Sequence, residues 1–332
     1  MRKRIILVGV CIAVVCLFGV NNGQAEKRVI TIGHFPFGPA QWVAQYMVDQ
    51  GIYKKYGDKI GVEYKVLFPG DDFAAFMGRS VNVGTFASVE VARLLADEGK
   101  HIVLFGKYCT AMNGIYVKAD SGYQSIVDVK GKRLGIPGWD TGTAQQAQVL
   151  FKEFHNIDMK KDFKVVVSSW PLLPNLLAKG DLEMALNIVP ITMNLLMQGK
   201  IKPMLHTFAT EWAKYNEGHF LGLTFLCMWK DFLDKNEDVA KNLLAAYEEG
   251  LYYSYANTEE FVRKYIPLFD KDATEENVKY FTKFYMKYKY LYQDPYIDEE
   301  FIQGELNFLR SAAKAGILKE KDVNRAIFRI IK

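Results

Sequence analysis

Between Arg28 and Tyr108, short β-branched runs alternate with stretches of helical period, and after Asn113–Gly114 the alternation begins again. That rhythm requires a mostly parallel sheet with helices on its faces, because each helix carries the chain back to start the next strand. In the first series Arg28–His34, Gly61–Phe68, Val81–Phe86 and His101–Tyr108 read as strands. Gln41–Gly51 reads as a helix, with Trp42, Val43, Tyr46, Met47 and Ile52 close to a spacing of three to four. Asp71 and Asp72 open a short helix through Met77, placing acidic groups at its positive end, and Ser88 is expected to cap a helix through Ala96. The second series has strands at Ile115–Lys118, Arg133–Ile136, Phe163–Ser168, Met184–Ile188 and Lys202–His206, then an apolar run Leu221–Trp229. Tyr123–Val129 reads as a short helical stretch. Thr143–Phe154 reads as a longer helix, with Thr143 and Gln146 at capping-box spacing. From Asp238 on, four amphipathic stretches, Ala240–Tyr255, Glu259–Leu268, Glu275–Tyr288 and Asp298–Ala315, form a helical tail whose Phe and Tyr residues are packing groups.

The N-terminus has the make-up of an export signal. Arg2, Lys3 and Arg4 precede the uncharged apolar run Ile5–Val20, and Gly23 and Ala25 stand where a signal peptidase reads small residues. The run is short for a membrane span, which needs ~20 apolar residues. Residues 1–25 are therefore expected to be removed after Ala25, leaving Glu26 first in a mature chain outside the cytoplasm. Cys11 and Cys16 follow Val10 and Val15, where a lipoprotein signal needs a small residue. Cleavage would leave 39 basic against 38 acidic residues, a balance that offers no footprint for nucleic acid or an anionic membrane. Half the residues are hydrophobic, which excludes disorder, and a mature chain of this length calls for two domains.

Several chemistries leave no trace. There is no Gly-rich phosphate loop after a strand, no Gly-x-Ser-x-Gly elbow and no His-Glu-x-x-His. The five histidines are scattered, and Cys109 and Cys227, the cysteines outside the signal segment, match no metal or redox spacing. No cofactor and no metal site is expected. In an oxidising compartment these two cysteines could pair, yet nothing local places them together. What remains is a set of strand-to-helix loops, which lie at the carboxyl edge of an open α/β sheet, where ligands bind.

The order of segments resembles the taurine, alkanesulfonate and nitrate type of periplasmic substrate-binding proteins of ABC importers. The resemblance covers nearly the whole mature chain. It is carried by Ile30-Thr-Ile-Gly-His-Phe-Pro-Phe-Gly-Pro39, Phe76-Met-Gly-Arg-Ser-Val-Asn-Val-Gly84, Ile126-Val-Asp-Val-Lys-Gly-Lys-Arg-Leu-Gly-Ile-Pro-Gly138 and Leu176-Leu-Ala-Lys-Gly-Asp-Leu-Glu-Met-Ala185. The third is the most specific. Three positions depart: Asn82 stands where the family has Asp, Asn187-Ile-Val-Pro190 replaces Trp-Glu-Pro, and Trp139–Asp140 replaces hydroxyl residues that often meet the ligand. The resemblance implies a type II, two-lobed α/β fold, each lobe a mixed sheet flanked by helices. Lobe one would comprise residues 26–113 and 223–332, and lobe two residues 114–222, with Cys109 and Cys227 expected near each other on the crossing strands, where a disulfide would restrain the hinge. It also implies a monomeric, periplasmic, non-enzymatic solute-binding role with an importer permease as partner. The rivals are an enzyme on the same fold, of pyrimidine-synthesis or menaquinone-pathway type, and a sensing module without transport.

The candidate ligand contacts all come from those loops: Phe37, Pro39 and Gln41, then Thr85 and Ser88, then Trp139, Asp140, Thr141 and Thr143, and Asn187. Each has an ordinary alternative, Ser88 and Thr143 as caps, Phe37 and Trp139 as packing, Asn187 as a turn former. The loops His34–Gln41, Thr85–Ser88, Pro137–Thr143 and Asn187–Thr192 contain no Lys or Arg. An inorganic oxyanion would find only helix amides and hydroxyls there, and Asp140 would repel it. The expected ligand is a small organic molecule, either a taurine-like zwitterion or a heteroaromatic.

Overall fold

The computed structural model describes residues 27–34, 38–69 and 71–332; residues 1–25, expected to be an export signal, and Phe37 lie outside them. The chain builds two five-stranded mixed sheets. The first contains β1 (Arg28–Gly33), β2 (Val62–Leu67), β3 (Val83–Phe86), β4 (Ile102–Thr110) and, from far along the chain, β10 (Gly222–Trp229), in the order β2-β1-β3-β10-β4. The second contains β5 (Gly114–Lys118), β6 (Arg133–Ile136), β7 (Lys164–Val167), β8 (Met184–Asn187) and β9 (Ile201–Leu205), in the order β7-β6-β8-β5-β9. In each sheet three strands joined through helices run parallel. The strands at the crossings, β10 in the first sheet and β5 in the second, pair antiparallel with both neighbours.

The helices follow from local chemistry. Helix α1 (Gly38–Asp49) buries Trp42, Val43, Tyr46 and Met47, the stripe read from the sequence, and is followed by α2 (Ile52–Lys59). Helix α3 (Asp72–Met77) is capped by Asp71, whose carboxylate accepts from the Ala74 amide. Helix α4 (Ser88–Glu98) begins one residue earlier than Ser88 capping requires. Ala87 holds the cap position, and the Glu90 carboxylate closes back on the Ala87 amide at 2.8 Å. Helix α5 (Gly142–His155) is capped by Thr141, not Thr143: Thr141 Oγ1 accepts from the Ala144 amide at 3.2 Å. The stretch 123–129 tightens to a single 3₁₀ turn, Ile126–Val129. The tail forms helices at Glu237–Ala256, Thr258–Tyr265, Glu275–Tyr288 and Glu299–Lys314. Phe281 and Phe308 of the tail are core, Phe281 meeting Trp42 edge-on at 5.1 Å and Phe308 meeting Trp212 at 5.1 Å, whereas Tyr252 is exposed.

Two apolar cores run through the molecule, and each contains residues of both sheets. One joins Ile30, Val103 and Tyr108 to Tyr116, Leu173 and Met193. The other joins Val89, Leu104 and Phe225 to Ile115, Leu134 and Phe208. The cysteines do not pair. Both are free and buried, because the β4–β10 register sets Thr224 opposite Cys109 and Leu104 opposite Cys227. Asn82 acts inside the fold, its Oδ1 accepting from the Thr31 amide at 2.8 Å and the Thr31 hydroxyl at 2.9 Å, so it pins β1 beside β3.

The crossing from β4 to β5 is three residues long and ends on Gly114. A Cβ at Gly114 would lie 2.7 Å from the Leu205 carbonyl oxygen and closer still to that of His206, both backbone atoms that cannot swing aside. Gly114→Ala is therefore expected to cost about 1–3 kcal/mol. Gly122→Ala, where a Cβ meets nothing within 4 Å, should change stability by only a few tenths. Urea unfolding of the two variants checks the difference.

Candidate functional site

A cleft of about 710 Å³ opens between the two sheets. One wall is built from the first sheet's side by Asp72 and Phe73 of α3, Thr85 and Phe86 of β3, and Glu90 and Arg93 of α4. The other comes from Asp140, Thr141 and the start of α5, with Trp170 and Ile188. Met112, Asn113, Leu223 and Thr224, at the two chain crossings, complete it.

Glu90 joins the walls. Its Oε2 accepts from the Ala87 amide at the start of α4, and its Oε1 accepts from the Gly142 amide at the start of α5 at 2.6 Å. The helices come this close because residue 142 has no side chain; a Cβ there would lie 2.9 Å from the Ala87 Cβ. A second tie sits behind it, where Gln146 Nε2 donates to the Gly222 carbonyl at 2.7 Å. Deeper still, Glu305 is fully buried and accepts from Ser88 Oγ at 2.6 Å, the Gly222 amide at 2.9 Å and His219 Nε2 at 3.1 Å.

Of the nine sequence-derived candidates among the described residues, four line the cleft: Thr85, Asp140, Thr141 and Thr143. Ser88 does not, because its hydroxyl is committed to Glu305. Asn187 is fully buried and shapes its own turn, donating to the Trp170 carbonyl and accepting from the Ile188 amide. Trp139 faces a smaller neighbouring cavity of about 320 Å³, where the Lys160 ammonium lies 5.3 Å from its ring centre. Its aromatic face is thus partly covered by a cation of the protein itself. Pro39 and Gln41 sit in the first turn of α1 without reaching the cleft, which Ala40 lines instead. Phe37 is among the residues not described. Asp140 is not the isolated carboxylate expected, because Arg93 Nη2 lies 3.3 Å from it. The loops bring no cation to the cleft, but α4 brings this one.

Asp72, Glu90, Arg93, Asn113, Gln145 and Trp170 line the cleft and were not among the candidates. Asp72 carries a sequence signal as an acidic helix start. Glu90 stands three residues after the cap position, but with Ala87 at the cap the familiar Ser/Thr signature is missing. The others are placed by folding alone.

Burial governs the titration of these groups. Desolvation raises the Asp72 carboxyl to about 6, and the neighbouring Asp71 charge adds to the effect. Desolvation likewise raises Glu90 to about 7; the Asp72 charge adds, while the Ala87 and Gly142 amides and the Arg93 charge oppose. At the end of β1, His34 is fully buried among tyrosines, 2.7 Å from the Tyr247 hydroxyl, and burial lowers it to about 3, so it stays neutral. Burial pushes the Cys109 thiol up to about 12 and also raises that of Cys227, which makes both poor nucleophiles. Among the described residues no group of three or more His, Cys, Asp or Glu could hold a metal ion, and no helix is long and apolar enough to cross a membrane.

A carboxyl that titrates near 4.5 in the unfolded chain and near 7 in the fold binds more protons when folded across that interval. Its contribution is favourable at low pH and is lost as pH rises through 7. Allowing for water in the cleft, that loss is on the order of 2 kcal/mol. Glu90→Gln gives up one capping bond, about 1 kcal/mol at every pH, and should flatten the decline between pH 5 and pH 8. Denaturant unfolding of both proteins at the two pH values measures it.

A family model described as NMT1/THI5 like matches residues 51–261. No curated protein sequence matches the chain. Among solved structures, the periplasmic aliphatic sulphonate binding protein SsuA from Escherichia coli superposes with a TM-score of 0.67 at 12% identity, covering 91% of this chain and 92% of that one. SsuA from Xanthomonas axonopodis pv. citri, bound to MOPS, superposes at 0.68 and 12% identity, covering 92% and 99%. A Candida albicans protein described as having the generic periplasmic binding protein fold gives 0.65 at 14%, covering 92% and 97%. The chain thus has the periplasmic binding protein fold.

Proposed function

The chain belongs to the NMT1/THI5-like family, and on that footing we propose that it is the exported solute-binding component of an ABC importer, capturing a small organic molecule between its two sheets. The observation that carries this reading is the cleft itself. About 710 Å³ lies between two sheets, at strand-to-helix turns, with aromatic walls and convergent polar groups. That combination fits a small organic molecule. Thr85, Asp140, Thr141 and Thr143 are the sequence-derived candidates that this reading keeps as ligand contacts. The body comprising residues 26–113 and 223–332 closes on residues 114–222 by rotation at the two crossings, a hinge that few residues absorb. The protein acts as a monomer in the periplasm, delivering its ligand to a permease.

The enzyme alternative finds less support. His34 is enclosed by tyrosine rings, and both thiols are buried and protonated. The ligand belongs to the zwitterion or heteroaromatic classes, for which Phe73, Phe86 and Trp170 provide a body-binding surface and the carboxylates a polar end.

A thermal-shift screen across sulfonates, nitrate, amino acids, aromatic carboxylates and vitamin precursors tests the reading. A true ligand at a hundred times its dissociation constant should add about 2.7 kcal/mol to stability. Trp170→Ala should weaken that ligand roughly tenfold or more, read by calorimetry, the equivalent of about 1.4 kcal/mol. Saturable binding by nothing in the screen, or the same affinity in the variant, would count against the cleft as the capture site. Intact-mass measurement of exported protein should show Glu26 as its first residue; a mass retaining acylated Cys16 would overturn export by simple cleavage.

A further inference from the structure

We infer that the captured molecule carries a protonated nitrogen, seated against the carboxylates of Asp72 and Glu90 while its body lies on Phe73, Phe86 and Trp170. The inference rests on the capture reading above and deepens it by naming the charge of the ligand.

Three independent observations support it. The first is the charge inventory. Asp71, Asp72, Glu90, Glu98 and Asp140 line the cleft, while the one lining cation among the described residues, Arg93, lies 3.3 Å from Asp140 and is already paired. A sulfonate or carboxylate entering here would meet carboxylates and find no uncommitted guanidinium or ammonium among the described residues of the walls. The second is that Asp72 and Glu90 form no ion pair among the described residues, although both are withdrawn from bulk water. Their proximity is felt, since each negative charge on Asp72 makes ionisation of Glu90 harder. A cation placed between them would relieve that repulsion and restore both to the charged form. The third is a pair of orphaned amide atoms. Asn113 Nδ2 and Gln145 Oε1 belong to side chains 1% exposed, line the same cleft and have no hydrogen-bond partner among the described residues. Buried polar atoms without partners are costly, so they mark where a ligand completes the network. Gln145 Oε1 accepts, as the carboxylates do, and suits an N–H donor. Asn113 Nδ2 donates, and asks for one acceptor atom elsewhere on the ligand. The assembled recognition pattern is an amine or amidine at one end, an acceptor atom at some distance and an unsaturated or apolar body between them.

The test screens the exported chain by thermal shift against three panels matched in shape. These are amine and amidine cations, their hydroxyl analogues, and nitrogen-free sulfonates and carboxylates. Saturable stabilisation should be confined to the cations, with the hydroxyl analogue of any hit binding at least tenfold more weakly by calorimetry. Asp72→Asn should weaken the cation at least tenfold. Glu90→Gln should do the same, but because Glu90 also holds two helix ends, Asp72→Asn decides the matter if the Glu90 variant is unstable. A hydroxyl analogue or a nitrogen-free anion binding as tightly as the cation overturns the inference and leaves capture standing, as does a cation whose affinity survives Asp72→Asn. Saturable binding by no panel counts against both.

Discussion

Two helix N-termini, at Ala87 and Gly142, meet across the cleft and share one carboxylate, that of Glu90. Each helix start leaves amides without an intrahelical partner and carries partial positive charge. One glutamate satisfies a donor from each, and the missing side chain at residue 142 lets the two helices approach closely enough for it to do so. The walls of the cleft are held in register by this bond, with the Gln146 bond to the Gly222 carbonyl behind it. The same carboxylate is withdrawn from water and sits within the field of Asp72, which is why it resists ionisation despite two amide donors. Structure and electrostatics of the site therefore turn on one residue.

The remainder of the fold supports that junction at a distance. The buried Glu305 gathers Ser88, Gly222 and His219 into one polar knot, tying the start of α4 to the C-terminal helix Glu299–Lys314 and to the returning strand. A polar group so deep is tolerable only with its hydrogen bonds made. Each apolar core contains residues of both sheets, so the crossings are packed on both sides.

Much of the fold was legible because it depends on local periodicity. The β-branched run Arg28–Gly33, the stripe of α1 and the amphipathic tail each declare their own secondary structure and buried face. Less of the site was legible. Asp140, Thr141, Thr143 and Thr85 follow from the rule that ligands meet strand-to-helix turns. Ser88 and Asn187 obey the same rule and yet face inward, since Glu305 in one case and the Trp170 carbonyl in the other claims their polar atoms. Those partners are 217 and 17 residues away in the chain, and nothing in the local sequence announces them.

By itself the sequence determined the alternation of strands and helices, the two series of β/α units and the aromatic character of the C-terminal helices. These arise from spacing along the chain, and spacing is what a sequence records. Tertiary structure alone decided that β10 pairs antiparallel between β3 and β4. It also decided that Cys109 and Cys227 stay apart, that Arg93 meets Asp140, and that Glu90 bridges two helices. Each of these is a relation between residues far apart in the chain. Its existence depends on the register of one strand or the approach of one helix, and those are set by packing over the whole molecule rather than by any neighbouring residue.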